Sequence, residues 1–184
     1  MILLIDMDSV SYNITKKWVD TYNAQYNDNI TYKEAEKSWD PPARIKCSPE
    51  EYRQLADAPG FFADLELFPD AIEVSKRLMA AGHSIYFLTA TPLMNPTAGY
   101  DKMNSVNRDF PHIGHKQVIQ AHHKFMALGD LLLDDSGRNL ETFPKLKVAM
   151  NYPHNQSYKV DARVNSWLEF EIAVNELAAK HFPK

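Results

Sequence analysis

Three short apolar runs constrain this chain more than anything else in it. They lie at residues 2–5, 84–88 and 131–133, and none shows the regular polar alternation of a strand with one wet face. An unbroken apolar strand is buried on both faces, which is the situation of a parallel sheet covered by helices. Helical patterns fill the intervals. Val10, Ile14, Trp18 and Tyr22 recur four apart over residues 10–26, and a second candidate spans 31–39 before Asp40-Pro41-Pro42 breaks it. Ser48-Pro49-Glu50-Glu51 is a helix start with Ser at the N-cap, Pro at N1 and Glu at N3, and Ala58-Pro59-Gly60 ends it. Further helices are predicted over 70–81, with Gly82 as the C-terminal cap, over 101–108 and over 167–180; short strands are predicted over 117–121 and 146–150. Strands alternating with helices give an α/β fold with a parallel sheet. Residues 13–60 carry helix signals only and read as a helical cap inserted after the first strand, leaving 1–12 and 61–184 as the core.

The bulk numbers exclude several classes. The chain has 184 residues, one domain's worth, and is 45% hydrophobic, enough for a core. It contains no apolar run long enough to cross a membrane. A single cysteine, Cys47, cannot form an internal disulfide and fits a reducing compartment. No basic leader precedes the first strand, so a cytoplasmic location is expected. The net charge of −4 argues against a duplex nucleic-acid binder and leaves small anionic substrates open.

Each apolar run ends in residues that carry chemistry. The first ends in Asp6-Met7-Asp8, the second in Thr89-Ala90-Thr91, the third in Asp134-Asp135. In a parallel sheet the carboxyl ends of the strands share one edge, where ligands bind. Four carboxylates gathered there need a cation, and all-oxygen ligation suits Mg²⁺. Lys124 is placed to add a fixed positive charge, with Lys116 as the competing candidate, and Thr91 competes with Thr89 as a phosphate holder. The chemistry that needs these parts is phosphoryl transfer. One carboxylate attacks phosphorus, a second manages the proton, and a cation, a Lys and a Thr hydroxyl hold the phosphoryl oxygens.

In this order the residues resemble the haloacid dehalogenase-like phosphatases, a Rossmann-like three-layer fold with Asp-x-Asp, a strand-terminal Thr, a Lys and an acidic pair. The similarity is closer to one branch, the 5′(3′)-deoxyribonucleotidases. It rests on Pro59-Gly60-Phe61-Phe62, on Lys124 followed by Asp130-Leu131-Leu132-Leu133-Asp134-Asp135, on His154-Asn155-Gln156 and on Ser166-Trp167. The resemblance implies Asp6 as nucleophile and Asp8 as acid/base. It implies Asp6, the backbone carbonyl of Asp8 and Asp135 as Mg²⁺ ligands with Asp134 beside them. Thr89, Ala90 and Lys124 would then hold phosphate, and Ile14, Phe61 and Phe62 would line the base pocket. It further implies a nucleotide substrate and suggests a homodimer. The chain departs from the branch at Ser9, where Gly is usual, at Asn13, where Asp is usual, and at Ile14, where Phe is usual. The lost aromatic surface at Ile14 leaves base preference open. From the residues alone, Phe61, Phe62, Leu65 and Phe68 read equally as core or as pocket. A phosphatase for another small phosphorylated metabolite or a polynucleotide end is the alternative enzyme. A phosphoacceptor signalling domain is the alternative outside enzymes, although its acidic pair comes first in the chain and its acceptor Asp later.

Overall fold

The computed structural model describes residues 1–38 and 40–183. Its frame is a six-stranded, all-parallel sheet of β1 (Ile2–Ile5), β2 (Ser84–Thr89), β3 (Val118–Gln120), β4 (Leu131–Asp134), β5 (Leu146–Met150) and β6 (Ala162–Val164), in the order β3-β2-β1-β4-β5-β6. The apolar runs fill both faces. Leu3, Ile5, Ile85, Phe87, Leu131 and Leu133 point into the larger core, while Leu4, Leu88, Leu132 and Ala149 point into a smaller one with Leu140 and Phe143. Helices α4 (Ala71–Ala80), α5 (Ala98–Asp109) and α7 (Trp167–His181) cover the first face and α6 (Gly137–Thr142) the second, which completes a three-layer Rossmann-like fold. Trp167 is buried at the start of α7, and its indole N–H donates to the Val10 carbonyl at 2.9 Å.

Between β1 and α4 lie α1 (Ile14–Tyr26), α2 (Tyr32–Ala35) and α3 (Pro49–Gln54), none of which adds a strand. Ser48 and Glu51 form the capping box at the head of α3, with Pro49 at its first position. Gly82, at φ +91°, turns the chain out of α4.

Four expectations change. The first helix begins at Ile14 and not at residue 10, because Met7–Tyr12 form a tight turn and the Asn13 side chain accepts from the Lys16 N–H as N-cap. Asn caps as well as Asp does, so the change at position 13 keeps the helix start. The second candidate shrinks to Tyr32–Ala35, and its predicted end at Trp39 lies outside the described residues. The helix expected over 101–108 starts three residues earlier. Strand β6 and helix α6 had no prediction: three and six residues are too short to set a period.

Candidate active site

The connection order reverses across β1, which has β2 on one side and β4 on the other. Such a switch point opens a crevice at the strand ends. Ile5 stands opposite both Phe87 and Leu133, so Asp6 leaves β1 beside Asp134, and its N–H donates to the Leu133 carbonyl at 2.9 Å. Thr89 closes β2 at the same edge. The structure thus brings Asp6, Thr89, Asp134 and Asp135 to one place, and all four are buried.

Past Asp6 the chain folds back on itself. The N–H groups of Ser11 and Tyr12 donate to the Met7 carbonyl at 2.9 and 2.8 Å, and Ser11 Oγ donates to the Asp6 carbonyl at 2.8 Å. This turn carries Asp8 over the end of the strand.

Two buried lysines then divide the two aspartates. Lys124, in a short 3-10 turn after β3, places Nζ 2.7 Å from Asp6 Oδ1 and 2.7 Å from Asp134 Oδ2. Lys102, on α5, donates to Asp8 Oδ2 at 2.6 Å, to Thr89 Oγ1 at 2.9 Å and to the Ala90 carbonyl at 2.7 Å. Those three bonds use all three donors of an ammonium group. The Lys102 cation also sits 4.8 Å above the Phe62 ring. Thr89 Oγ1 accepts from Lys102, and its single O–H donates to the Ala90 carbonyl at a long 3.3 Å.

Sequence reasoning missed Lys102. A signal existed: Ala98, Lys102, Ser105 and Val106 recur at helical spacing, and all four are buried. The lysine therefore occupies a core position of an amphipathic helix. Of the competing candidates, Lys116 is exposed and precedes β3, at the far end of that strand from Asp6. The Thr91 hydroxyl is committed to Gln120 Oε1 at 2.9 Å.

The electrostatics point to a cation. Burial pushes the Asp135 carboxyl up to about 6, against His154, and the Asp134 carboxyl up to about 7, against Lys124. Burial also raises Asp8, with Lys102 pulling the other way. Burial would lower Lys124, but Asp134 and Asp6 outweigh it and hold the ammonium above its ordinary range. Four carboxylates face two lysines, so two negative charges lack compensation when all are ionised. Asp6, Asp134 and Asp135 each offer an oxygen within 4.8 Å of the others'. Asp8 Oδ1 and Asp135 Oδ2 are buried with no hydrogen-bond partner, His154 Nε2 standing 3.6 Å from the latter. A hard divalent cation with oxygen ligands fits this donor set in both charge and chemistry.

Ile14, Phe61 and Phe62 are all buried in the larger core, Phe61 and Phe62 edge to face at 5.1 Å. Next to them opens a cavity of about 390 Å³ whose lining includes Thr15, Trp18, Tyr52, Pro41, Pro42 and Pro92. Trp18 stacks on Tyr52 with centroids 6.4 Å apart and leans on Phe61 at 5.7 Å. The cavity spans the helical segment and the loop that follows Thr89.

Fold and site together define a haloacid dehalogenase-like hydrolase. Among solved structures, a HAD family hydrolase from Deinococcus radiodurans with bound phosphate and sodium superposes with a TM-score of 0.57 at 12% identity over 95% of both chains. A hydrolase from Pseudomonas syringae superposes with 0.56 at 9% identity, over 96% of this chain and 99% of its own. The particular family follows from sequence. The model of the family "5' nucleotidase, deoxy (Pyrimidine), cytosolic type C protein" matches residues 1–182, and the chain belongs to that family. The 5'(3')-deoxyribonucleotidase of Clostridium acetobutylicum is 30% identical over 167 residues, covering 90% of this chain and 89% of the relative. That of Bacillus subtilis is 28% identical over 170 residues, covering 92% and 96%. No helix among the described residues is long and apolar enough to cross a membrane.

Proposed function

We propose that this hydrolase is a Mg²⁺-dependent phosphatase of nucleoside 5′-monophosphates, deoxyribonucleotides foremost, working through an aspartyl-phosphate at Asp6. The observation that carries this reading is the division of the two aspartates between two lysines. Asp6 Oδ1 is engaged by Lys124 and by the Met7 N–H at 2.8 Å, which fixes the carboxylate at the strand end, where it would act as nucleophile. Asp8 is half-buried and biased toward its neutral form, as an acid must be to give a proton to a leaving alkoxide.

In the first step Asp6 attacks phosphorus, the bond to the nucleoside oxygen breaks, and Asp8 donates its proton to that oxygen. In the second, Asp8 takes a proton from water, the water oxygen attacks phosphorus, and the bond to Asp6 breaks. Lys124 holds the phosphoryl oxygens throughout, and the Thr89 O–H turns to them from its long bond to the Ala90 carbonyl, with the Ala90 backbone beside them. Lys102 holds Asp8 and Thr89 at a fixed separation. Asp6, the Asp8 carbonyl and Asp135 would hold Mg²⁺, with Asp134 as the buried brace of Lys124. When bound, the ion supplies charge that stabilises the phosphoryl oxygens.

Residues 13–60 then act as a cap over the site, and the nucleobase enters the cavity between Trp18, Tyr52 and Pro92, whose flat surfaces suit a planar ring. Ile14, Phe61 and Phe62 back that pocket from the core. Leu93, Met94 and Tyr100 are exposed near this edge and offer an apolar face to a second copy.

A panel of deoxyribonucleoside and ribonucleoside monophosphates, sugar phosphates and phosphorylated oligonucleotide ends, each with and without Mg²⁺, tests the reading. The expected result is turnover of the mononucleotides only when the metal is present. Preference for sugar phosphates or oligonucleotide ends, or turnover in chelator, would overturn it.

A further inference from the structure

The peptide that follows Asp8 is held in a conformation serine disfavours. Ser9 is buried with φ +57°, in the left-handed region, where a side chain is strained and glycine is not. Two hydrogen bonds hold it there. Its N–H donates to the Tyr12 carbonyl at 2.8 Å, which is local. Its carbonyl accepts from the Tyr152 hydroxyl at 3.0 Å, across 143 residues of chain.

Tyr152 belongs to the loop that leaves β5, and the same loop grips the acidic pair. Asn155 is buried, and its Nδ2 donates to the Asp135 carbonyl at 2.8 Å and to the Met150 carbonyl at 2.7 Å. His154 Nε2 lies 3.2 Å from the Asp135 carbonyl, and the Tyr152 ring stacks on the His154 ring at 5.4 Å and 10°. One short loop therefore fixes the main chain on both sides of the carboxylate cluster. From the other direction, Tyr32 of α2 reaches the Tyr152 hydroxyl, so the helical segment touches the same contact.

We propose that Tyr152 is a positioning residue: its hydroxyl locks the Ser9 peptide in its left-handed turn and thereby aims the Asp8 carbonyl at the cation. The proposal rests on the Mg²⁺ reading given above. Tyr152 touches no reacting atom. Without its hydroxyl, only the local bond from the Ser9 N–H to the Tyr12 carbonyl resists relaxation toward a negative φ, and the peptide that carries the Asp8 carbonyl turns as Ser9 relaxes. A glycine at position 9 would keep the turn without the brace.

The test uses the full chain as wild type, Tyr152→Phe, Ser9→Gly and the double variant. Mg²⁺ alone is titrated into each by calorimetry, with melting in chelator as the measure of the bare fold and kcat and KM on a nucleoside monophosphate alongside. Tyr152→Phe is expected to melt like wild type in chelator, to bind Mg²⁺ about tenfold more weakly, and to lose kcat while KM holds. Adding Ser9→Gly is expected to restore both. Wild-type Mg²⁺ affinity in Tyr152→Phe, or a double variant no better than Tyr152→Phe, would overturn the proposal. A lower melting point in chelator that Ser9→Gly does not repair would make Tyr152 a packing residue and overturn it too. If wild type itself takes up no Mg²⁺, the metal reading fails first and this inference with it.

Discussion

The strand edge and the helical segment at 14–57 hold their charges in opposite ways. At the edge, Lys102, Lys124, Asp134 and Asp135 are essentially out of water, and the lysines spend their donors on named protein acceptors. In the helical segment most charges are wet, the Asp28 carboxylate under Tyr22 being the exception. Arg44 pairs with Glu34 at 2.7 Å while nearly half exposed, Arg53 pairs with Asp40 at 3.1 Å in the open, and both capping boxes face solvent. Exposed pairs of this kind contribute little to stability, while breaking a buried one leaves an orphaned charge. The edge is therefore intolerant of change, while the exposed charges of the segment that borders the cavity can change at small cost. The proposed function puts chemistry on the first and selectivity on the second.

Four substitutions probe that contrast, in order of falling effect. Asp6→Asn should reduce kcat by at least about a thousandfold while leaving the fold intact, since the amide keeps the shape and loses the nucleophile. Wild-type turnover in that variant would remove the covalent mechanism. Lys102→Met should lower kcat about a hundredfold and cost about 3 kcal/mol in urea unfolding, because Asp8 Oδ2 and Thr89 lose their shared cation together. If only stability falls, Lys102 is a structural ion-pair partner and the edge is less specialised than argued. Trp18→Ala acts on the other region. It should raise KM for nucleoside monophosphates about tenfold with kcat near wild type, the signature of lost binding away from the reacting atoms. A fall in kcat with KM unchanged would place Trp18 with the chemistry. Ser48→Ala should do least: about 1 kcal/mol of local stability from the lost cap of α3, with no change in kcat.

The same contrast explains what was legible in the sequence. The edge could be read because apolar runs fix their own burial, and the residues that end them in a parallel sheet must meet. That rule alone places Asp6, Thr89 and Asp134 together. Lys124 rested on its spacing to Asp130, and its two ion pairs are tertiary facts. Lys102 stayed hidden because a lysine in a helix reads as solvated unless its neighbours at helical spacing are checked for burial. Residues 10–13 read as helix because Val10 falls four residues before Ile14, a spacing that a buried turn residue can mimic. The cavity was least legible. It is assembled from a tryptophan, a tyrosine and three prolines, one of them in the core loop after Thr89, whose contributions meet only in three dimensions, and the predicted pocket residues Ile14, Phe61 and Phe62 are buried outside its lining.

The claim on which the rest depends is that Asp6 becomes covalently phosphorylated. Rapid acid quench of the enzyme during turnover of a ³²P-labelled deoxynucleoside 5′-monophosphate, followed by peptide mapping, tests it directly. The account predicts label on the peptide carrying Asp6, formed and lost within the turnover time and absent from Asp6→Asn. Full turnover with no labelled peptide, or label on a peptide that lacks Asp6, would contradict it.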